Sequence, residues 1–200
     1  MRSWKHWSLV LVLAVALAQW AWTLVPVAGE ARGRDHPTPA AHTEVSGTGL
    51  GTAQVLGVFF TPPSGAGKAL VQWIDDARQE VLVQAYGFTH NAIAQALLRA
   101  HLRGVRVAVL LDQKSSSTNR YVIDLLQGSR IDVRFDGEHA IAHNKVMVID
   151  QRVVVTGSFN FTNSADTRNA ENLLILDSPS LASRYHANWR EHWAHAASRP

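Results

Sequence analysis

The chain has 200 residues, enough for one domain of ordinary size with a short appendage but not for a second catalytic domain. Hydrophobic residues make up 46% and charged residues 18%, which excludes a disordered chain, and the lack of cysteine excludes disulfides, thiolate nucleophiles and cysteine-bound metal sites. The net charge is +3, and beyond residue 29 it falls to +1 because 17 basic side chains face 16 acidic ones, so a strongly basic nucleic-acid binder is not indicated.

The first 29 residues have the pattern of an export signal. Arg2, Lys5 and His6 precede an apolar run over residues 9–18, which continues less purely to Val25. This stretch also approaches the ~20 residues that a membrane span needs, so an uncleaved N-terminal anchor is the alternative. In both cases the segment engages the membrane during export, and the rest of the chain is expected to be periplasmic or secreted.

Residues 30–53 are rich in Gly, Pro, Thr and Ala without periodicity, which predicts a tether followed by one folded domain over residues 54–200. Short apolar runs predict strands at 55–60, 81–85, 105–111, 131–135, 145–149, 153–156 and 172–176. Helical spacing predicts helices at 68–78, 91–102, 119–126 and 179–196, the last with a core-facing stripe of Leu181, Tyr185, Trp189 and Trp193. The alternation predicts an α/β fold with a mixed, largely parallel sheet flanked by helices on both faces.

Polar side chains with chemical potential concentrate between positions 143 and 160. Residues two apart on a strand share a face, so His143 and Lys145 point the same way, as do Ser158 and Asn160 if the chain stays extended there. An imidazole, an ammonium, a hydroxyl and a carboxamide can therefore converge on one small volume. That set of groups suits a phosphate.

Phosphodiester transfer needs a nucleophile, a proton donor for the leaving oxygen, and donors for the non-bridging oxygens. Histidine can fill the first two roles, and Lys145 with Asn160 the third. Metal-dependent phosphodiesterases use converging carboxylates instead, whereas the one adjacent acidic pair, Asp75-Asp76, falls on a predicted helix. No metal and no other cofactor is therefore expected.

Two carboxylates near these residues differ in their expected roles. Asp150 has the opposite parity to Lys145 and precedes a turn, so a structural role as a hydrogen-bond acceptor or ion-pair partner is expected. Glu171 begins a predicted strand, where it either accepts a hydrogen bond from an imidazole nitrogen and fixes the tautomer or is an ordinary exposed residue.

Six residues reproduce the pattern H-x-K-x4-D-x6-G-S-x-N: His143, Lys145, Asp150, Gly157, Ser158 and Asn160. In this pattern the chain resembles the phospholipase D superfamily. The likeness extends over roughly residues 55–193, including residues 84–89 and Glu171-Asn172. In size and motif context the chain is similar to the small bacterial endonucleases of the superfamily that carry a single motif. The resemblance implies a phospholipase D-like α/β sandwich, a phosphohistidine intermediate, no metal, and an active site shared across a homodimer.

The resemblance also assigns residue roles. It implies that His143 is the nucleophile, Lys145 and Asn160 are phosphate ligands, Ser158 is a supporting donor and Glu171 is the partner of the histidine. Asp150 and Gly157 are motif positions that we expect to be structural. Many members carry two motifs and this chain carries one, and one imidazole cannot attack phosphorus and protonate the opposite oxygen at the same moment. A two-fold axis would supply the second histidine.

Other candidates lie outside the motif. Ligands often bind beyond strand ends in open α/β sheets, so four loop residues are either a substrate rim or ordinary loop positions: Tyr86, Phe88, Thr89 and Lys114. His139 stands four residues before His143, which on a helix would make half a metal site, but a surface or pocket-wall role is favoured because His143 begins a strand-like run.

The sequence therefore predicts an exported phosphodiesterase, with a non-specific endonuclease acting on DNA or RNA as the first hypothesis. Hydrolysis of phospholipid head groups by the same chemistry is the alternative. A third, non-catalytic hypothesis is a module that binds DNA or anionic lipid. It is disfavoured because both His143 and Lys145 are intact.

Overall fold

The computed structural model describes residues 51–200. The predicted signal or anchor over residues 1–29, and all but the end of the predicted tether, lie outside the described residues. Within residues 51–200, no helix is both long and apolar enough to cross a bilayer.

Seven strands form one mixed sheet in the order β1-β7-β6-β5-β2-β3-β4. Their bounds are β1 Gln54–Thr61, β2 Glu80–Ala85, β3 Arg106–Asp112, β4 Asp132–Asp136, β5 Lys145–Ile149, β6 Val153–Gly157 and β7 Glu171–Asp177. The predicted strands and the mixed α/β fold are confirmed.

The expectation of a largely parallel sheet was wrong. Only β2–β3 and β3–β4 pair in parallel, whereas β1–β7, β7–β6, β6–β5 and β5–β2 are antiparallel. Parallel neighbours need a long crossover, usually a helix, and the helices at residues 91–102 and 120–128 make the two crossovers from β2 to β3 and from β3 to β4. The turn at residues 150–152 joins β5 to β6 directly, and so short a link allows only antiparallel pairing.

Helices cover both faces of the sheet. They are α1 Ala66–Asp76, α2 Asn91–Leu102, α3 Arg120–Gly128, α4 Asn163–Thr167 and α5 Pro179–His195, with a 3-10 turn at Gln113–Ser115. Strand residues of one parity, such as Val81 and Val83, pack against α1, α2 and α3 in the larger core. Residues of the other parity, such as Leu82, pack against α5. The four predicted helices are confirmed, while α4 and the 3-10 turn were not foreseen.

The aromatic stripe of α5 faces the core, as predicted. Trp189 is 1% exposed, and its indole Nε1 donates to the carbonyl of Val83 at 3.0 Å. Trp193 stacks on it with ring centroids 4.5 Å apart. This side of the sheet is therefore closed by α5, so these aromatics are not a surface for stacking bases.

The motif residues with reactive side chains lie along one edge of the sheet, defined here as the line of strand ends where β2, β3, β4 and β6 end and β5 and β7 begin. The parallel strands β2, β3 and β4 end at this edge, whereas β5 begins there, since Ala85 pairs with Lys145. Strand β6 ends and β7 begins at the same edge, where Gly157 pairs with Leu173. The topology therefore brings residues 86, 143, 158 and 171 together although they are far apart in sequence.

Candidate active site

His143 lies against the aromatic ring of Tyr86. It is exposed and precedes β5, which begins at Lys145, so it is not itself a strand residue. The two ring centroids are 4.9 Å apart. The backbone N–H of Tyr86 donates to the carbonyl of Asn144 at 3.1 Å, which joins the end of β2 to the segment that carries His143. The imidazole is thus supported on one side and open to solvent.

Lys145 is a buried cation without a carboxylate partner. Its side chain lies at the start of β5, the residue is 8% exposed, and Nζ donates to the carbonyl of His143 at 2.7 Å. Nζ also lies 5.5 Å from the centroid of the Tyr86 ring, and Lys145 forms no salt bridge with any residue of the described chain. Burial lowers the pKa of Lys145 below its ordinary value of 10.5, and the charge of Glu171 opposes part of that shift. An anion that binds here would therefore meet an ammonium group that has already lost much of its hydration.

Ser158 and Glu171 form a hydrogen-bonded pair across the ends of β6 and β7. Ser158 Oγ donates to Glu171 Oε2 at 2.6 Å and accepts from the backbone N–H of Asn172 at 3.1 Å. The other carboxylate oxygen of Glu171 accepts from Asn169 Nδ2 at 3.1 Å. Within residues 51–200 the carboxylate makes no hydrogen bond to His143, so the role of Glu171 as the partner of the histidine stays a prediction.

The amide of Asn160 is oriented by the backbone beside Tyr86. Its Oδ1 accepts from the N–H of Gly87 at 3.3 Å. Its Nδ2 has no hydrogen-bond partner among residues 51–200, and the residue is half-buried. The amide nitrogen therefore remains a donor for a phosphate oxygen.

Gly157 permits the close approach of two chain segments beneath this site. Its φ is +155°, and a Cβ at this position would collide with the backbone carbonyl of Asn172. Ser158 and Phe159 both donate their backbone N–H groups to that carbonyl. Glycine is therefore needed to place Ser158 next to the start of β7.

Asp150 lies at the other end of β5 and organises a turn. Its φ is +53°, and its carboxylate accepts from the backbone N–H groups of Arg78, Gln79 and Glu80 at 2.7–3.2 Å. These bonds tie the β5–β6 turn to the start of β2. The geometry is that of a structural acceptor, away from the edge that carries His143.

The proposed substrate rim needs one correction. Phe88 is fully buried, and its ring packs edge-on against Phe161 with centroids 5.8 Å apart, so it cannot line a substrate path. The alternation of side chains along β2 ends at Ala85. Phe88 instead forms a separate β-bridge with Phe161, and its ring points into the core. Tyr86 lies at the site, and Thr89 is half-buried, with its N–H bonded to the carbonyl of Phe161. Lys114 is exposed and donates to the carbonyl of Ala140 at 2.6 Å.

Two buried positioning residues were missed by the sequence analysis. Asp112, at the end of β3, accepts from the N–H of Ala142 at 2.9 Å and so holds the residue before His143. Asn119 is fully buried, accepts from the N–H of Phe88 at 2.7 Å and donates to the carbonyl of Tyr86 at 2.7 Å. The available signal was that Asp112 directly follows a continuous apolar strand, at the end where ligands bind in parallel sheets.

Comparison with known families shows which family has this fold and motif. Residues 70–193 match the family model described as "Cardiolipin synthase, PLD-like domain". The chain belongs to the phospholipase D superfamily.

Curated relatives within the superfamily carry two kinds of name. The chain is 46% identical to "Phospholipase D" of Rickettsia prowazekii over 130 residues, which cover 65% of this chain and 63% of that protein. It is 32% identical to "Mitochondrial cardiolipin hydrolase" of Xenopus tropicalis over 117 residues, which cover 58% of this chain and 56% of that protein. The matches thus span less than two thirds of the length of these relatives.

Solved structures of the superfamily share the fold. Nuc, a phospholipase D family member from Salmonella typhimurium, aligns with a TM-score of 0.70 and 32% identity over 73% of this chain and 97% of that chain. NucT from Helicobacter pylori aligns with a TM-score of 0.64 and 23% identity over 73% of this chain and 99% of that chain, which supports the fold alone.

Proposed function

We propose that the chain is a phosphodiesterase that acts through a covalent phosphohistidine at His143 and uses no metal ion in the reaction. The observation that carries the proposal is the exposed imidazole beside a buried ammonium that has no carboxylate partner in the described chain. An imidazole nitrogen attacks phosphorus and the bond to the leaving oxygen breaks. Water then attacks phosphorus, and the P–N bond breaks to restore the histidine.

The non-bridging oxygens gain charge during attack and need fixed donors. Lys145 Nζ supplies a cation whose desolvation strengthens its attraction to the phosphate. Asn160 Nδ2 supplies a neutral donor, because Oδ1 is held by the N–H of Gly87. Ser158 is a supporting donor once its single hydroxyl proton, which is donated to Glu171 Oε2 in this structure, turns to the phosphate.

The leaving oxygen needs a proton from a second acid on the opposite side of phosphorus. We assign this role to His143 of a second copy of the chain, in a homodimer whose two-fold axis passes through a shared active site. His143 is exposed on its own chain, which leaves it accessible to such a partner. One chain alone would then hold half of the working site.

The proposed substrate is a nucleic-acid backbone, cut without sequence specificity. His143 and Ser158 are both exposed at the edge of the sheet, so a phosphodiester within a long polymer can reach them. Most apolar side chains of the described domain pack into the two cores of the seven-stranded sheet. Few apolar side chains therefore remain to line a pocket for acyl chains.

Phospholipid head-group hydrolysis is the second candidate. The identity of 46% to a protein named "Phospholipase D" favours it. Ile141, two residues before His143, is 55% exposed and would meet the apolar part of a membrane surface. Both candidates use the same chemistry and differ in the group that surrounds the phosphate.

The two substrates are distinguished by incubating the purified full chain, in excess chelator, with supercoiled plasmid DNA and separately with phosphatidylcholine vesicles. Nicked and linear DNA without choline release is the expected result. Choline release without DNA cleavage would replace the nuclease by the phospholipase. The His143→Ala variant is the inactive control, and His101→Ala, a histidine on α2, is the matched substitution that should retain activity. Failure on both substrates would contradict the proposal.

A further inference from the structure

Four side chains with the spacing of metal ligands meet where β4 and α5 end. Asp136 is the last residue of β4 and His139 follows three residues later, while His192 and His195 lie one turn apart at the end of α5. The sequence therefore holds a D-x-x-H pair and an H-x-x-H pair, which the fold brings together across 56 positions between Asp136 and His192. None of these four side chains belongs to the motif described above.

The three imidazoles converge on one fully buried carboxylate. His192 Nδ1 lies 2.7 Å from Asp136 Oδ2, His139 Nδ1 lies 3.1 Å from the same oxygen, and His195 Nε2 lies 3.3 Å from Oδ1. One ligand atom from each of the four residues lies within 4.8 Å of all the others. In a tetrahedral site with bonds near 2.1 Å, ligand atoms are separated by about 3.4 Å, which falls inside these observed limits.

The surroundings orient the carboxylate as they would a metal ligand. The backbone N–H of Glu138 donates to Asp136 Oδ1 at 3.1 Å, which fixes the plane of the carboxylate. Metal ligands are held by outer hydrogen bonds of this kind.

The three imidazole rings also contact one another. The His139 ring stacks on His192 with centroids 4.6 Å apart, and His195 lies 5.5 Å from each of them. To bind a cation, the ring nitrogens nearest Asp136 would present lone pairs, and each ring would carry its proton on its other nitrogen. A divalent ion bound to three neutral imidazoles and one carboxylate leaves a net charge of +1.

We propose that Asp136, His139, His192 and His195 form a structural site for a divalent transition-metal ion of the zinc type. Imidazole nitrogens and a carboxylate oxygen are common zinc ligands, and four protein ligands leave no open position for substrate. The ion fastens the end of α5 to the loop of residues 137–144, which leads directly to His143. The same junction is already joined by the backbone pair of Phe135 and Ala197, at 2.8 and 3.0 Å.

This site is independent of the proposed reaction. The ion would contribute folding energy, whereas attack by His143 needs no metal. The two proposals therefore fail separately. Turnover by chain that stays folded in chelator tests the reaction, and the metal content of the folded chain tests the site.

The test uses the full chain purified without a histidine tag and stripped of metal by chelator. Calorimetric titration with Zn²⁺ should give one ion per chain, and the melting temperature should rise on binding. The His192→Gln/His195→Gln double variant should lose affinity by more than about 100-fold, since removal of an outer partner alone costs 10–100-fold. The matched control His101→Ala should bind as tightly as the wild type.

Cobalt substitution gives a readout that needs no variant. Co²⁺ in the wild-type chain should show the intense visible bands of a four-coordinate ion, and Zn²⁺ should displace it. A wild-type chain that binds no stoichiometric Zn²⁺ would overturn the proposal, as would a folded double variant that binds as tightly as the wild type. A weak six-coordinate cobalt spectrum would overturn the closed four-ligand geometry.

Discussion

At the level of single residues, the site depends on how the Tyr86 ring supports both His143 and Lys145. The His143 ring packs on Tyr86, and Lys145 Nζ lies over the same ring. The ring face is an attractive surface for a cation and removes water from one side of each group. Since Lys145 forms no salt bridge in the described chain and the charge of Glu171 offsets only part of its desolvation, a bound anion would stabilise its charged form further.

The alanine variants separate the nucleophile from the phosphate ligands. His143→Ala should abolish turnover, because no P–N bond can form. Lys145→Ala and Asn160→Ala should each lower kcat by ~10²–10³-fold, since each removes one donor to developing oxygen charge. Steady-state kinetics with circular dichroism checks this. A folded Lys145→Ala variant with full kcat would refute the assignment.

The lowered pKa of Lys145 should appear in the pH profile. The ammonium form binds the phosphate, so kcat/KM should fall on the alkaline side as Lys145 loses its proton, and this fall should begin below the ordinary lysine value of 10.5. A chromogenic phosphodiester that is stable in base provides the measurement. In Lys145→Arg, any remaining activity should lack this alkaline limb, because the guanidinium stays charged. A wild-type profile that stays flat past 10.5 would argue against a catalytic ammonium.

At the level of elements, the β5–β6 turn is held by one carboxylate. Asp150→Ala removes the acceptor of three backbone N–H groups and a residue type that tolerates positive φ. It should lower the free energy of unfolding by about 1–3 kcal/mol, and Asp150→Asn should lower it less. Urea unfolding gives both values. Turnover per folded molecule should not change, and a stable but inactive Asp150→Ala would place this residue in the reaction instead.

Strands and helices were predictable from sequence where consecutive residues of the element carry the apolar pattern. Strands β2, β3 and β5 are buried on both faces and read as continuous apolar runs, and α2 was predicted with its observed bounds. The direction of strand pairing was not predictable from such runs, because it depends on which strands become neighbours after the chain has crossed the sheet. Phe88 was misassigned for a related reason, since a bridge to Phe161 decides where its ring points.

The site was predictable to the extent that its spacing is local. His143, Lys145, Ser158 and Asn160 could be grouped because two short segments carry them. Asn119 could not, because its contacts with residues 86 and 88 span more than 30 positions. The His-rich cluster at the end of α5 escaped for the same reason, as its two pairs are joined only by the fold.

At the level of the whole molecule, the proposed homodimer completes acid catalysis with the His143 of a second copy. Light scattering of active protein should give the mass of a dimer. Specific activity should fall on dilution below the dissociation constant of the dimer, because each site needs two copies of His143. A mixture with excess inactive His143→Ala chains should lose activity in the mixed dimers. A fully active monomer would mean that another residue supplies the proton, and His139 is the first to examine.

In the proposed mechanism, His143 carries the phosphoryl group while no metal ion takes part in the reaction. The most direct measurement is mass spectrometry of the chain quenched during turnover in excess chelator, below the melting temperature of the metal-free protein. We predict an acid-labile phosphoryl adduct on the peptide that contains His143, formed within the first turnover and absent from His143→Ala. Continued turnover without an adduct on His143 would contradict this mechanism, as would a requirement for an added divalent ion in the folded His192→Gln/His195→Gln variant, which lacks the proposed structural site.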